Sequence, residues 1–133
     1  MGWNDKQVGF ASLKGQTLVS IEGATKGSEE IILRTMSQTL KMYHDQGCCE
    51  SVSVEDVCGD IADLIGSPLT MAEEVSSAER PADVAKPDYE PESQTWTFYK
   101  AATIKGSVTI RWLGESNGYY SEGVSVCEVE VCA

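Results

Sequence analysis

The chain has 133 residues, 41% of them hydrophobic, and a formal net charge of −11 that falls entirely within residues 45–92, where thirteen acids face two bases. That length fits one domain able to bury roughly two-thirds of its unfolded surface, and the acidic field repels a phosphate backbone, which excludes ordinary DNA or RNA binding. No run approaches the ~18 apolar residues of a membrane span, and MGWNDKQVGF lacks the n- and h-regions of a secretion signal, so a soluble cytosolic protein is expected.

Residues 17–22 (TLVSIE) alternate as a strand, and 23–28 supply a turn. Residues 30–36 (EIILRTM) and 38–44 (QTLKMYH) read as a hairpin around Ser37, completing an N-terminal meander. After the break at Gly47 and the cysteine pair, 52–54 read as a short extended piece. A helix is expected from Ser53, with Asp56 three residues on forming a capping box. Val57, Ile61, Leu64 and Ile65 would share its apolar side, opposite Asp56, Asp60 and Asp63. Gly66 and Pro68 would end it. Residues 69–75 fit a strand or a frayed second helix. Residues 76–93 (SSAERPADVAKPDYEPES) hold three prolines and repeated charges, the composition of a long, flexible, variable loop joining two sheet-forming halves.

The C-terminal third carries the clearest strand signal. Residues 94–104 and 107–113 form a hairpin turning near Lys105 and Gly106, and a second turn at Ser116, Asn117 and Gly118 leads into a strand over 119–131. Period-2 alternation sets Trp96, Phe98, Ile104, Val108, Ile110 and Trp112 on a core face, and Thr97, Tyr99, Thr103, Thr109 and Arg111 on a polar one. The expected architecture is α+β: a single domain, 1–133, with a curved antiparallel sheet of six or seven strands and one short amphipathic helix. An exposed edge of that sheet would suit self-association.

Five cysteines, Cys48, Cys49, Cys58, Cys127 and Cys132, are an odd number in a chain with no secretion signal, which reads as free thiols. His44, Cys48, Cys49 and Cys58 supply zinc-ligand types, but H-x3-C-C-x8-C is not a common zinc spacing. Three aspartates on one helical face point to solvation before a cation. His44 is the sole histidine, and no orienting residue or oxyanion helix accompanies it and Cys48. The chain has no Walker loop and no G-x-G-x-x-G, so no cofactor is expected and the chain reads as non-enzymatic. Binding is better provided for: Tyr99, Lys100, Lys105, Arg111, Asn117, Tyr119 and Tyr120 place cations, aromatics and a turn amide within one three-stranded unit. Aromatic faces stack on bases and Arg or Lys pairs with phosphate, which points to a small anionic, nucleotide-like ligand.

The phrases YHDQGCCESV, DLIGSPL and WLGESNGYYSE resemble a family of small proteins encoded in phage and prophage genomes, a domain of unknown function. The resemblance covers residues 15–126, with 76–93 as a variable insertion. It implies an accessory phage protein acting in the cytoplasm of an infected bacterium, where sequestering a small signal would counter host defence. Two alternatives stand beside it. The acidic 45–92 region would dock on a basic host protein as a nucleic-acid mimic, or His44 and the cysteines would serve a metal-dependent enzyme.

Overall fold

Apolar residues at every second position dominate the chain, and β-strands are what they build. The computed structural model describes residues 5–7, 9–44, 50–78, 81–82, 93–117 and 122–129. Among these, nine strands run in the order β1 (Asp5–Gln7), β2 (Leu18–Glu22), β3 (Glu30–Thr35), β4 (Thr39–Tyr43), β5 (Ser51–Cys58), β6 (Met71–Ser77), β7 (Ser93–Thr103), β8 (Gly106–Ser116) and β9 (Ser125–Val129). Two antiparallel sheets result, one ordered β1-β9-β4-β3-β2 and the other β5-β8-β7-β6. Their apolar faces share one core. Leu18, Ile31, Leu33, Leu40, Met42 and Val126 come from the first sheet, and Val52, Val54, Ala72, Tyr99, Ala101, Val108, Ile110 and Trp112 from the second. Two backbone bonds also stitch the sheets, Gly27 N to the Val54 carbonyl and Val54 N to the Ser28 carbonyl, both 2.7 Å. They cover part of the free edge of β5. Among the described residues no helix is long and apolar enough to cross a membrane.

The fold is therefore all-β in two sheets, and the expected helix over 53–65 does not form. Residues 51–58 are strand, and only Ile61–Leu64 make a single 3-10 turn. The expected stripe of Val57, Ile61, Leu64 and Ile65 is instead divided between elements: Val57 lies near the end of β5, where a β-bulge between Val54 and Asp56 turns it to the core with Val52 and Val54, and Ile61 and Leu64 sit in the 3-10 turn. β-branched valines favour the strand. Gly59, at φ 116°, then ends it, at a place where a Cβ would meet the Ser107 carbonyl. Asp60, not Ser53, is the capping residue, accepting from Ala62 N at 3.0 Å.

The β7–β8 hairpin forms as expected, but its faces are exchanged. Its loop is Ile104-Lys105, closed by the Thr103–Gly106 pair, so Tyr99 lies opposite Ile110 and Thr97 opposite Trp112. Tyr99, Thr97 and Thr103 therefore face the core with Val108, Ile110 and Trp112, while Trp96 and Phe98 share the outer face with Thr109 and Arg111. A one-residue change of register moves every side chain of a strand across the sheet. The third C-terminal strand leaves this sheet altogether: β9 inserts between β1 and β4. Residues 69–75 lie largely in β6, which pairs directly with β7. The loop expected over 76–93 thus joins neighbouring strands of one sheet, and its residues 79–80 and 83–92 lie outside the described ones.

Candidate functional site

Two of the sequence phrases singled out above meet at one end of the core. His44 follows β4 and Glu50 precedes β5, and their side chains are 4% and 2% exposed. His44 Nε2 lies 2.7 Å from Glu50 Oε2, and Nδ1 lies 2.7 Å from the Gly123 carbonyl. That carbonyl can only accept, which places a proton on Nδ1. Nε2 and the Glu50 carboxyl then share one more proton, so the pair carries no net charge as a unit. Beside Gly123, the Glu122 carboxylate is buried against β7 and β8. It accepts from Ser116 Oγ at 2.5 Å and Thr95 Oγ1 at 2.8 Å. Burial raises its pKa, but hydrogen bonds from Ser116, Ser93 and Thr95 outweigh that and hold it below the usual glutamate value. Gly114 makes room for this segment, since a Cβ there would meet the Glu122 main chain. Residues 122–123 thus clasp the second sheet through hydroxyls and the first through an imidazole.

Beside this network opens a cavity of about 610 Å³. Glu29 just before β3, Glu30 at its start, Lys41 and Tyr43 from β4, and Ser51 and Val52 from β5 line it, together with the buried His44 and Glu50. The Lys41 ammonium sits 4.7 Å from the centroid of the Tyr43 ring and 3.1 Å from Glu30 Oε1. A second, smaller hollow of about 210 Å³ lies on the outer face of the other sheet, lined by Asp56, Cys58, Phe98, Thr109 and Arg111. Because of the bulge, two successive carboxylates reach Arg111: Glu55 Oε1 is 2.7 Å from Nε, and Asp56 Oδ2 is 3.6 Å from Nη2. The guanidinium carbon also stands 5.7 Å from the centre of the Trp96 ring.

The binding residues expected from sequence are not assembled into one site. Arg111 and Lys100 share the outer face of their sheet, but Tyr99 is fully buried on the inner one. There its ring meets Phe10 edge-on at 4.9 Å. Burial, and then the Glu74 carboxylate opposite it in register, raise the Tyr99 phenol far above its ordinary pKa. Lys105 bonds the Ile65 carbonyl at the hairpin tip. Asn117 lies past the far end of β8, roughly 33 Å away along an extended strand. No single small ligand spans both. Tyr119 and Tyr120 lie outside the described residues, as do Cys48 and Cys49. Cys58 is exposed at the end of β5 remote from Glu50, roughly 23 Å along the strand, so it cannot join His44 around one ion. Both His44 nitrogens are already engaged, and among the described residues no group of three or more His, Cys, Asp or Glu could hold a metal.

Residues 11–126 match the family model described as a domain of unknown function, DUF7448. The chain belongs to the DUF7448 family. No curated protein and no solved structure matches it. The match spans every residue of the buried network and of both hollows in this DUF7448 chain. Sequence reasoning does not find the network because its two local halves, His44 with Glu50 and Ser116 with Glu122, are joined only through the His44–Gly123 bond, across 79 positions. The one available signal was that two of the phrases carrying the resemblance each hold one polar half of it.

Proposed function

We propose that this DUF7448 protein is a non-catalytic binding module whose ligand enters the cavity beside the His44–Glu50 pair. The observation that carries this is the cavity's size and construction: about 610 Å³ lies within the usual range for small-molecule sites, and its lining includes a fixed, hydrogen-bonded pair. The non-catalytic reading is supported by that same pair, since neither ring nitrogen is left to take a proton from a substrate. Fragment titration followed by amide NMR tests it, with Ser51→Trp as the blocked control; Ser51 is exposed, so the bulky ring fills the opening without entering the core. Fragments that shift Tyr43 and Ser51 in the native chain and not in the variant support the proposal. A full fragment set leaving both unmoved refutes it.

A nucleotide-like anion has its best place at Arg111, where Phe98 offers a ring and Thr109 a hydroxyl. The anion would exchange with Asp56, whose contact is loose and whose side chain is 47% exposed. Two carboxylates beside the guanidinium oppose it, and the hollow is smaller than a nucleotide site usually requires. Phosphate-dependent thermal stabilisation lost in Arg111→Met would favour this second reading. Docking on a basic protein finds support, among the described residues, in Glu73 and Glu74, exposed on edge strand β6, and in the exposed Asp60, while Glu50 is buried against His44 and Glu55 is paired with Arg111. The phage setting, bacterial cytoplasm and countering of host defence rest on the likeness of the sequence phrases.

A further inference from the structure

The charges around the larger cavity suggest what it takes. The buried pair in its lining is neutral as a unit, because His44 and Glu50 share their proton. Glu29 and Glu30 then accompany one cation, Lys41, which leaves the lining, among the described residues, with one negative charge in excess, within a chain of net charge −11. Anions are repelled both locally and at long range. The aromatic surface, meanwhile, is already used in one way: the Tyr43 ring holds an ammonium over its face, steadied by a carboxylate. That ammonium belongs to a flexible, partly exposed lysine whose head can swing into solvent while its stem stays on the sheet. Ring, carboxylates and hollow are the groups that a cation would need, and the protein's own Lys41 already uses the ring and one carboxylate.

We propose that the cavity binds a small alkylammonium ligand, whose head replaces Lys41 on the Tyr43 ring between Glu29 and Glu30. This rests on the binding reading above and adds the ligand's chemical class. Lys41 is then an internal competitor. Removing it therefore tightens binding of an amine, whereas for an anionic ligand Lys41 is the attracting group and its removal weakens binding. The sign of one substitution separates the two.

The experiment is an amide NMR titration of the full chain with putrescine and n-butylammonium, beside n-butanol as the neutral isostere and inorganic phosphate as the anion. The amines are expected to shift Glu29, Glu30, Tyr43 and Ser51 saturably, and salt should weaken them. Lys41→Met should tighten the amines by about two- to fivefold, the worth of one exposed cation–π contact. Glu30→Gln should weaken them by a similar factor. Butanol shifting the same residues as strongly as the amines, or phosphate binding that Lys41→Met abolishes, overturns the amine proposal while leaving the cavity a binding site. If none of these probes and no fragment moves the cavity residues, the binding reading itself falls.

Discussion

Replacing Glu50 from one side should expose the worth of the buried pair. Glu50→Ala leaves His44 Nε2 facing a void where a 2.7 Å partner stood. The lost bond, which involves a shared charge, is worth about 1.5–3 kcal/mol. Truncating one partner of so deeply buried a pair carries the loss to about 3–5 kcal/mol. A loss of 3 kcal/mol corresponds to roughly 10 °C in Tm for a domain of this length. Glu50→Gln is the discriminating companion. Its amide has nearly the same shape and can donate to Nε2 while Nδ1 still donates to Gly123, so its cost should stay below about 1.5 kcal/mol. Urea unfolding followed by tryptophan fluorescence measures both. Equal losses for Ala and Gln, or a loss below about 1 kcal/mol for Ala, would refute the shared-proton geometry.

Other substitutions test other parts of the structure. Gly114→Ala sets a Cβ 2.7 Å from the Glu122 Cβ and against its main chain, so a cost of about 1–3 kcal/mol is expected in the same unfolding assay. Glu122 has a lowered folded pKa, so its contribution is full above the ordinary value of 4.5 and is lost as pH falls through the lowered one. Glu122→Gln should flatten the acid side of the stability profile; an unchanged slope would show that its carboxylate is not held by the hydroxyls. Tyr99 Oη is buried with no hydrogen bond of normal geometry among the described residues, the Glu74 carboxylate being near it but not in bonding geometry, and Tyr99→Phe should therefore raise stability by up to about 1 kcal/mol. A comparable loss would mean that the hydroxyl is bonded. Ile104 is 88% exposed at its hairpin tip, and Ile104→Ser should leave unfolding within about 0.5 kcal/mol of the native chain.

Strands were legible wherever alternation was regular and a turn was short. The β3–β4 hairpin around Ser37 and the long β7–β8 ribbon both follow from their residues. Three features were hidden. Val57, Ile61, Leu64 and Ile65 have the spacing of a helix, yet they span the end of β5, the break at Gly59 and a 3-10 turn. Closing the hairpin on Ile104-Lys105 exchanged the faces of β7 relative to β8, which sent Tyr99 inward. And the pairing of β9 with β1 and β4 joins residues more than eighty positions apart, which local patterning does not encode. Arg111 lies on the outer face, but beside Trp96 and Phe98 instead of Tyr99 and Thr97, and its carboxylate partners come from another strand and depend on the bulge at Val54–Asp56.

The insertion of β9 between β1 and β4 also bears on how the chain is made. Until residues 125–129 emerge from the ribosome, the first sheet lacks an interior member, and β4 presents an unsatisfied ladder beside hydrophobic residues meant for the core. Contacts so distant in sequence are slow to form. Nascent copies must wait in a half-built state, and it is during synthesis, more than after it, that this protein would be vulnerable to misassembly with its neighbours.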